Sequence, residues 1–105
     1  MRVSTHGKKR MRERVQSSLT NRNVNSLFKT ALHKGYTPKA FIDGDFKKYL
    51  MAHSKKNSVK VFQDHMYLYN GSRKILYTVW KVPNQFLPVE QFLKRNQPNP
   101  NQLSK

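Results

Sequence analysis

Four histidines, His6, His33, His53 and His65, are the side chains of this sequence best able to move a proton near neutral pH. Cleaving RNA without a metal takes a base for the ribose 2′-hydroxyl, an acid for the departing oxygen, and cations around the phosphate. His33, His65, Tyr67, Arg73, Lys74 and Thr78 are of those types. Each of the uncharged ones also has a plain structural role: His33 as the solvated end of a helix, His65 as a turn residue, Tyr67 as a cross-strand packing partner, Thr78 as a strand former. Other chemistries find no residues. Cysteine is absent, which excludes a disulfide scaffold, a Cys-ligated zinc or iron–sulfur site and a thiol nucleophile. There is no G-x-S-x-G, no G-x-x-x-x-G-K-S/T and no G-x-G-x-x-G. No two histidines stand at H-x-x-x-H spacing beside a carboxylate, and the acids Glu13, Asp43, Asp45, Asp64 and Glu90 form no pair suited to glycoside or metal chemistry. The sequence calls for no metal and no cofactor. It favours a protein without catalysis; the enzyme its residue types allow is a metal-independent ribonuclease.

What the residues offer in quantity is positive charge. Of 105 residues, 21 are Lys or Arg and 5 are Asp or Glu, a formal net charge of +16. Such a surplus repels itself in a compact state, and a polyanion relieves it. Nucleic acid does so with release of condensed counterions. The candidate contacts are Lys8, Lys9, Arg10, Arg12 and Arg14 near the start, the pairs Lys47–Lys48, Lys55–Lys56 and Arg73–Lys74, and Lys60. Tyr67 and Tyr69 join them as stacking platforms for unpaired bases, if the sheet that carries them has an open face. No run approaches the ~18 apolar residues of a membrane span, and no basic helix with a bulky apolar face is visible, so no membrane partner is expected. The start lacks the apolar stretch of a secretory signal, which leaves a cytoplasmic protein as the expectation.

The elements that must position these residues follow from periodicity. Residues 1–20 read as a basic N-terminal arm, partly helical over 8–18. Val24, Leu27, Phe28, Ala31 and Leu32 make one helical stripe, with Asn21 or Asn23 as cap and Gly35 as a left-handed terminator. Thr37 and Pro38 open a further helical segment carrying Ile42, Phe46, Tyr49, Leu50 and His53 on one face, broken at Asp43-Gly44. The period then falls to two. Strands are expected over 59–62, 66–69 and 74–82, joined by a tight connection at 63–65 and by a loop begun by the hairpin signal Asn70-Gly71. In the second strand Met66 and Leu68 should face the helices, leaving Tyr67 and Tyr69 on the open side. The third strand is apolar in both phases and reads as covered on both sides. Phe86, Leu87, Val89, Phe92 and Leu93 suit one short closing helix after Pro88; alternatively Phe86, Leu87, Phe92 and Leu93 dock on a host protein. Residues 96–105 cannot bury apolar surface and read as a disordered tail. The expected fold is α+β: a single domain over 21–95, with two or three N-terminal helices packed on one face of a three-stranded antiparallel meander.

The stretch FKTALHKGYTPKAF…FKKYL…SVKVFQDHMYLYNGSRKILYTVWKVP resembles short uncharacterised proteins of phages and mobile elements. These combine an ALxxGxT start, an LxxYL helix and a terminal VxVYxxxIYIF…LxTVYxLP hairpin. The matching pieces are residues 31–37, 46–50, 59–69 and 76–83, about half the chain. Helices followed by a meander are also similar to the barnase/EndoU/colicin/RelE-like ribonuclease fold, an analogy of fold alone. The resemblance implies a mobile-element protein acting on a host defence complex in the manner of an anti-CRISPR, by a rigid surface and without chemistry. Charge and resemblance together lead to one expectation: a small, non-catalytic binder of RNA or of a nucleoprotein, with a RelE- or barnase-like ribonuclease toxin as the alternative.

Overall fold

The segment from Arg2 to Arg14 is part of the folded body. A computed structural model describes residues 2–94, and its first strand, β1, is Arg2–Val3. Helix α1 follows at Thr5–Arg14, begun by Ser4, whose Oγ accepts from Gly7 N at 2.9 Å. Val3, Gly7 and Met11 are buried. The stretch read as a basic arm is therefore a strand and a helix of the core. Its apolar face is too sparse for periodicity to reveal, since α1 buries a glycine and a methionine and directs its charges elsewhere.

Helix α2 spans Asn21–Lys34 and buries Val24, Phe28 and Ala31. Its cap is Thr20, not Asn21 or Asn23; Thr20 and Asn23 form a reciprocal capping box. Gly35 ends it in extended backbone, φ −72°, rather than in the left-handed form expected. Glycine is required there by proximity. A Cβ would meet Ala31 O at 2.5 Å and Val61 O at 3.1 Å, because Tyr36 pairs with Val61 through two 2.8 Å backbone bonds. A 3₁₀ turn at Pro38–Ala40 and helix α3 at Asp45–His53 follow, separated at Asp43-Gly44 as the sequence indicates.

Strands β2 (Ser58–Phe62), β3 (His65–Asn70) and β4 (Ile75–Lys81) form the expected antiparallel meander. The sheet is nonetheless four-stranded and mixed, in the order β1-β4-β3-β2, because β1 adds parallel to β4 at Arg2↔Ile75 and Val3↔Leu76. The type I′ geometry falls on Gln63 and Asp64, φ 48° and 67°, and not on Asn70-Gly71. At the second turn Asn70 Oδ1 instead accepts from Ser72 N at 3.1 Å and Arg73 N at 2.8 Å, a side-chain-built turn that closes with Lys74 at φ 55°. A register shift between Leu68 and Tyr69 leaves Tyr77 of β4 without a partner.

Helices cover both faces of the sheet, contrary to the one-sided packing expected. One core gathers Val24, Phe28 and Ala31 of α2, Met11 of α1, Val3, and Tyr67, Tyr69, Leu76 and Val79 of the sheet. The other gathers Val59, Val61, Met66 and Leu68 with Phe41, Phe46 and Leu50. β3 is thus the strand buried on both sides, while β4 leaves Tyr77 and Trp80 exposed. The closing helix is two 3₁₀ turns, Asn84–Phe86 and Val89–Phe92. Phe86 is buried in the second core, and Leu87, Phe92 and Leu93 pack against it; Ile42 N donates to Phe92 O at 2.7 Å. The segment read as a possible docking surface closes the protein's own interior. The expected tail at 96–105 lies outside the described residues.

Candidate nucleic-acid interface

The two faces of β2 set the site. Val59 and Val61 point into one core, which turns Lys60 to the opposite face, in register with Tyr67 of β3. α2 lies over that face, and its C-terminal half brings Lys29, Leu32 and His33 above Lys60 and Tyr69. Lys74, from the β3–β4 turn, and Thr37, just past α2, complete a cleft of about 560 Å³.

Three lysines, 29, 60 and 74, converge there with His33 and Thr37, and among the described residues no carboxylate lines the cleft. Burial, and then the neighbouring charge of Lys74, hold the Lys60 ammonium below the usual lysine range. Tyr69 forms a wall. It is wedged edge-on against Phe28, ring centroids 5.8 Å apart, with Lys74 Nζ 5.7 Å from its ring centre. An anion entering this cleft would relieve the repulsion between Lys60 and Lys74 and accept hydrogen bonds from the ammoniums.

Of the residues read from the sequence as binding, the cleft unites Lys60, Tyr69 and Lys74, with Arg73 exposed beside Lys74. Lys47, Lys48 and Lys55 line a separate depression of about 570 Å³ along α3, over the side chain of Met51. An acid serves that depression: Asp43 accepts from Lys47 Nζ at 3.1 Å, which pulls its carboxyl below the ordinary range. Lys56 is exposed in the turn after α3. The helix α1 spends its arginines on structure. Arg10 pairs with Glu13 at 2.9 Å. Arg12 donates to Leu19 O and Asn21 Oδ1 at 2.9 and 2.7 Å. Arg14 donates to Val79 O at 3.1 Å. Lys8 and Lys9 have no ion pair among the described residues.

The candidate catalytic set is dispersed. His33 reaches the cleft. His65 sits elsewhere with both ring nitrogens against carbonyl oxygens, Nδ1 2.9 Å from Gln63 O and Nε2 3.1 Å from Arg14 O. Thr78 Oγ1 lies 3.4 Å from the Arg14 guanidinium. Tyr67 is 1% exposed, and burial pushes its phenol up to about 12; it offers neither a proton relay nor a stacking face. Tyr69 is 5% exposed, so the sheet face predicted to be open at both tyrosines is covered. The exposed aromatics among the described residues are Tyr36, just past α2, and Tyr77 and Trp80 of β4.

Lys29, Leu32 and Thr37 are members of the site that sequence reasoning missed. Lys29 and His33 stand four apart on α2, and Lys60 alternates with two core valines. Those two periodicities, taken together, place a cationic strand residue beneath a cationic helix edge. A scan of protein-family models and searches of curated proteins and of solved structures return no match to this chain.

Proposed function

We propose that this protein is a non-catalytic binder of single-stranded RNA, free or within a nucleoprotein, and that the cleft between α2 and the β2–β3 hairpin seats its backbone. One observation carries the proposal: three lysines line one cleft with no carboxylate among the described residues that line it, and one of them is part-buried beside another's charge. Holding like charges together costs stability unless a counter-charge is part of the working state. A cleft of about 560 Å³ accepts a phosphate and its sugar but not a duplex. Thr37 and His33 supply the hydroxyl and imidazole that can meet a ribose 2′-hydroxyl, the group that separates RNA from DNA.

A labelled oligoribonucleotide titrated with protein at rising salt tests this. Affinity should fall steeply, and replacing Lys29, Lys60 and Lys74 together by Ala should lower the slope of log K against log salt by about 2, at ~0.7 per phosphate contact on a single strand. The deoxy oligomer should bind more weakly. An affinity indifferent to salt, or a triple variant with an unchanged slope, overturns the proposal. A ribonuclease would need two acid–base groups around one phosphate, and among the described residues only one histidine reaches the cleft. RNA incubated with the protein in EDTA should accordingly stay intact.

A further inference from the structure

We infer that Trp80 is a second contact, a stacking platform for an unpaired base of the bound strand, with Arg14 fixed behind it. Trp80 is 41% exposed although the Arg14 guanidinium lies 3.8 Å from its ring centre. Much of the indole is therefore open to solvent even with the cation beside it. Arg14 is not a loose cover. Its Nη1 donates to Val79 O at 3.1 Å, and its own carbonyl lies 3.1 Å from His65 Nε2, so its surroundings come from strands β3 and β4 as well as helix α1.

This arrangement costs the protein a buried tryptophan, since the indole would contribute more in either core. A guanidinium on one face and solvent on the other is what a base platform requires. The base then stacks on the free face, with a cation behind the ring, in a surface carrying a surplus of positive charge. Val79 O and Thr78 Oγ1 take one guanidinium nitrogen, Nη1. Trp80 is in register with Met66 of the second core, which sets it on the sheet face opposite Lys60 and Tyr69. Lys74 lies just before β4 and Trp80 near its end, roughly 20 Å apart along the strand at ~3.3 Å per residue, so the bound strand has to cross the edge of β4 beyond its pairing with β1. A single strand of several nucleotides spans that distance.

The inference rests on the RNA-binding proposal, and the single tryptophan of the chain makes the two separable. Indole emission and the anisotropy of a labelled oligoribonucleotide are followed in one titration, with inorganic polyphosphate as a base-free control. The expected result is quenching by RNA and none by polyphosphate. Trp80→Ala should weaken RNA binding roughly 5- to 150-fold and leave polyphosphate binding unchanged, with Trp80→Phe recovering most of the loss. A rise in anisotropy without an emission change, with Trp80→Ala binding as wild type, overturns the platform and spares the cleft. Equal quenching by polyphosphate overturns it as well, because emission then reports charge alone. No rise in anisotropy at any salt removes the RNA-binding proposal and the platform with it.

Discussion

A lysine set between two core valines has few directions to point, and Lys60 points at other cations. The folded protein holds the Lys60 proton less tightly than the unfolded chain does, through burial first and the charge of Lys74 second. Folding therefore releases protons over the alkaline window between the lowered value and 10.5, and this residue's contribution to stability rises with pH across that window. Below it the penalty is present in full. Lys60→Met removes the charge and keeps an unbranched stem. In the free protein the variant should be at least as stable as wild type at pH 8, and the gap should close as pH approaches 10.5, measured by urea denaturation across pH. RNA binding should move the other way, with the salt slope falling by ~0.7 for the one lost contact. A variant that is less stable at pH 8 would show Lys60 to be a packing residue. A second residue-scale test concerns the turn at Gln63-Asp64. Both residues have positive φ, which costs a non-glycine residue about 1–2 kcal/mol. Asp64→Gly should stabilise the protein by about 0.5–1 kcal/mol, the relief being partly offset by added freedom in the unfolded chain.

Among the elements, α1 gives the sharpest test, because local propensity and packing predict opposite signs. Gly7 lies inside the helix, where alanine is ordinarily favoured by about 1 kcal/mol. Here an added Cβ would meet Leu76 O at 2.7 Å and a Val3 methyl at 3.1 Å, so α1 would have to lift from β4. Gly7→Ala should destabilise by about 1–3 kcal/mol in chemical denaturation, and stabilisation would show that α1 is the loose arm its sequence suggests. That contrast marks where the sequence could be read. α2 and α3 announce themselves because Val24, Phe28 and Ala31, and Phe46 and Leu50, repeat at helical spacing and are the residues buried. The meander was legible from the change of period at residue 58. α1 overlaps the partly helical stretch read over 8–18, but its burial was not legible, because its buried side is Gly7 and Met11 and depends on partners sixty-odd residues away. The same long-range pairing hid β1 and misassigned the tyrosines: strand alternation shows that Tyr67 and Tyr69 share a face, but only the placement of α1 and α2 shows that the face is covered. The site was half-legible for that reason. Lys60 and Lys74 stand out by type, while Lys29 joins them only once α2 is laid across β2.

At the scale of the molecule the surplus charge is largely unanswered. Of the five acids, Glu13 and Asp43 hold ion pairs with Arg10 and Lys47, and these are the two pairs among the described residues. Both are on the surface, worth ~0–1 kcal/mol each, against a net charge of +16. Self-repulsion is a term in the stability of the free protein, and salt reduces it by shortening the Debye length from ~30 Å at 0.01 M to ~8 Å at 0.15 M. The melting temperature of the free protein should therefore climb by several degrees over that range, since ~1 kcal/mol moves a domain of this size by about 4–8 °C. Single-stranded RNA should raise it further at low salt and contribute progressively less as salt increases, because the ligand and the salt neutralise the same charges and counterion release weakens binding. The two curves should converge at high salt. Replacing Lys29, Lys60 and Lys74 by Ala should raise the low-salt melting temperature of the free protein and shrink the increment from RNA. A melting temperature flat in salt would mean that the lysines and arginines are already compensated where they stand, and the cleft would then be solvated surface with no call on a polyanion.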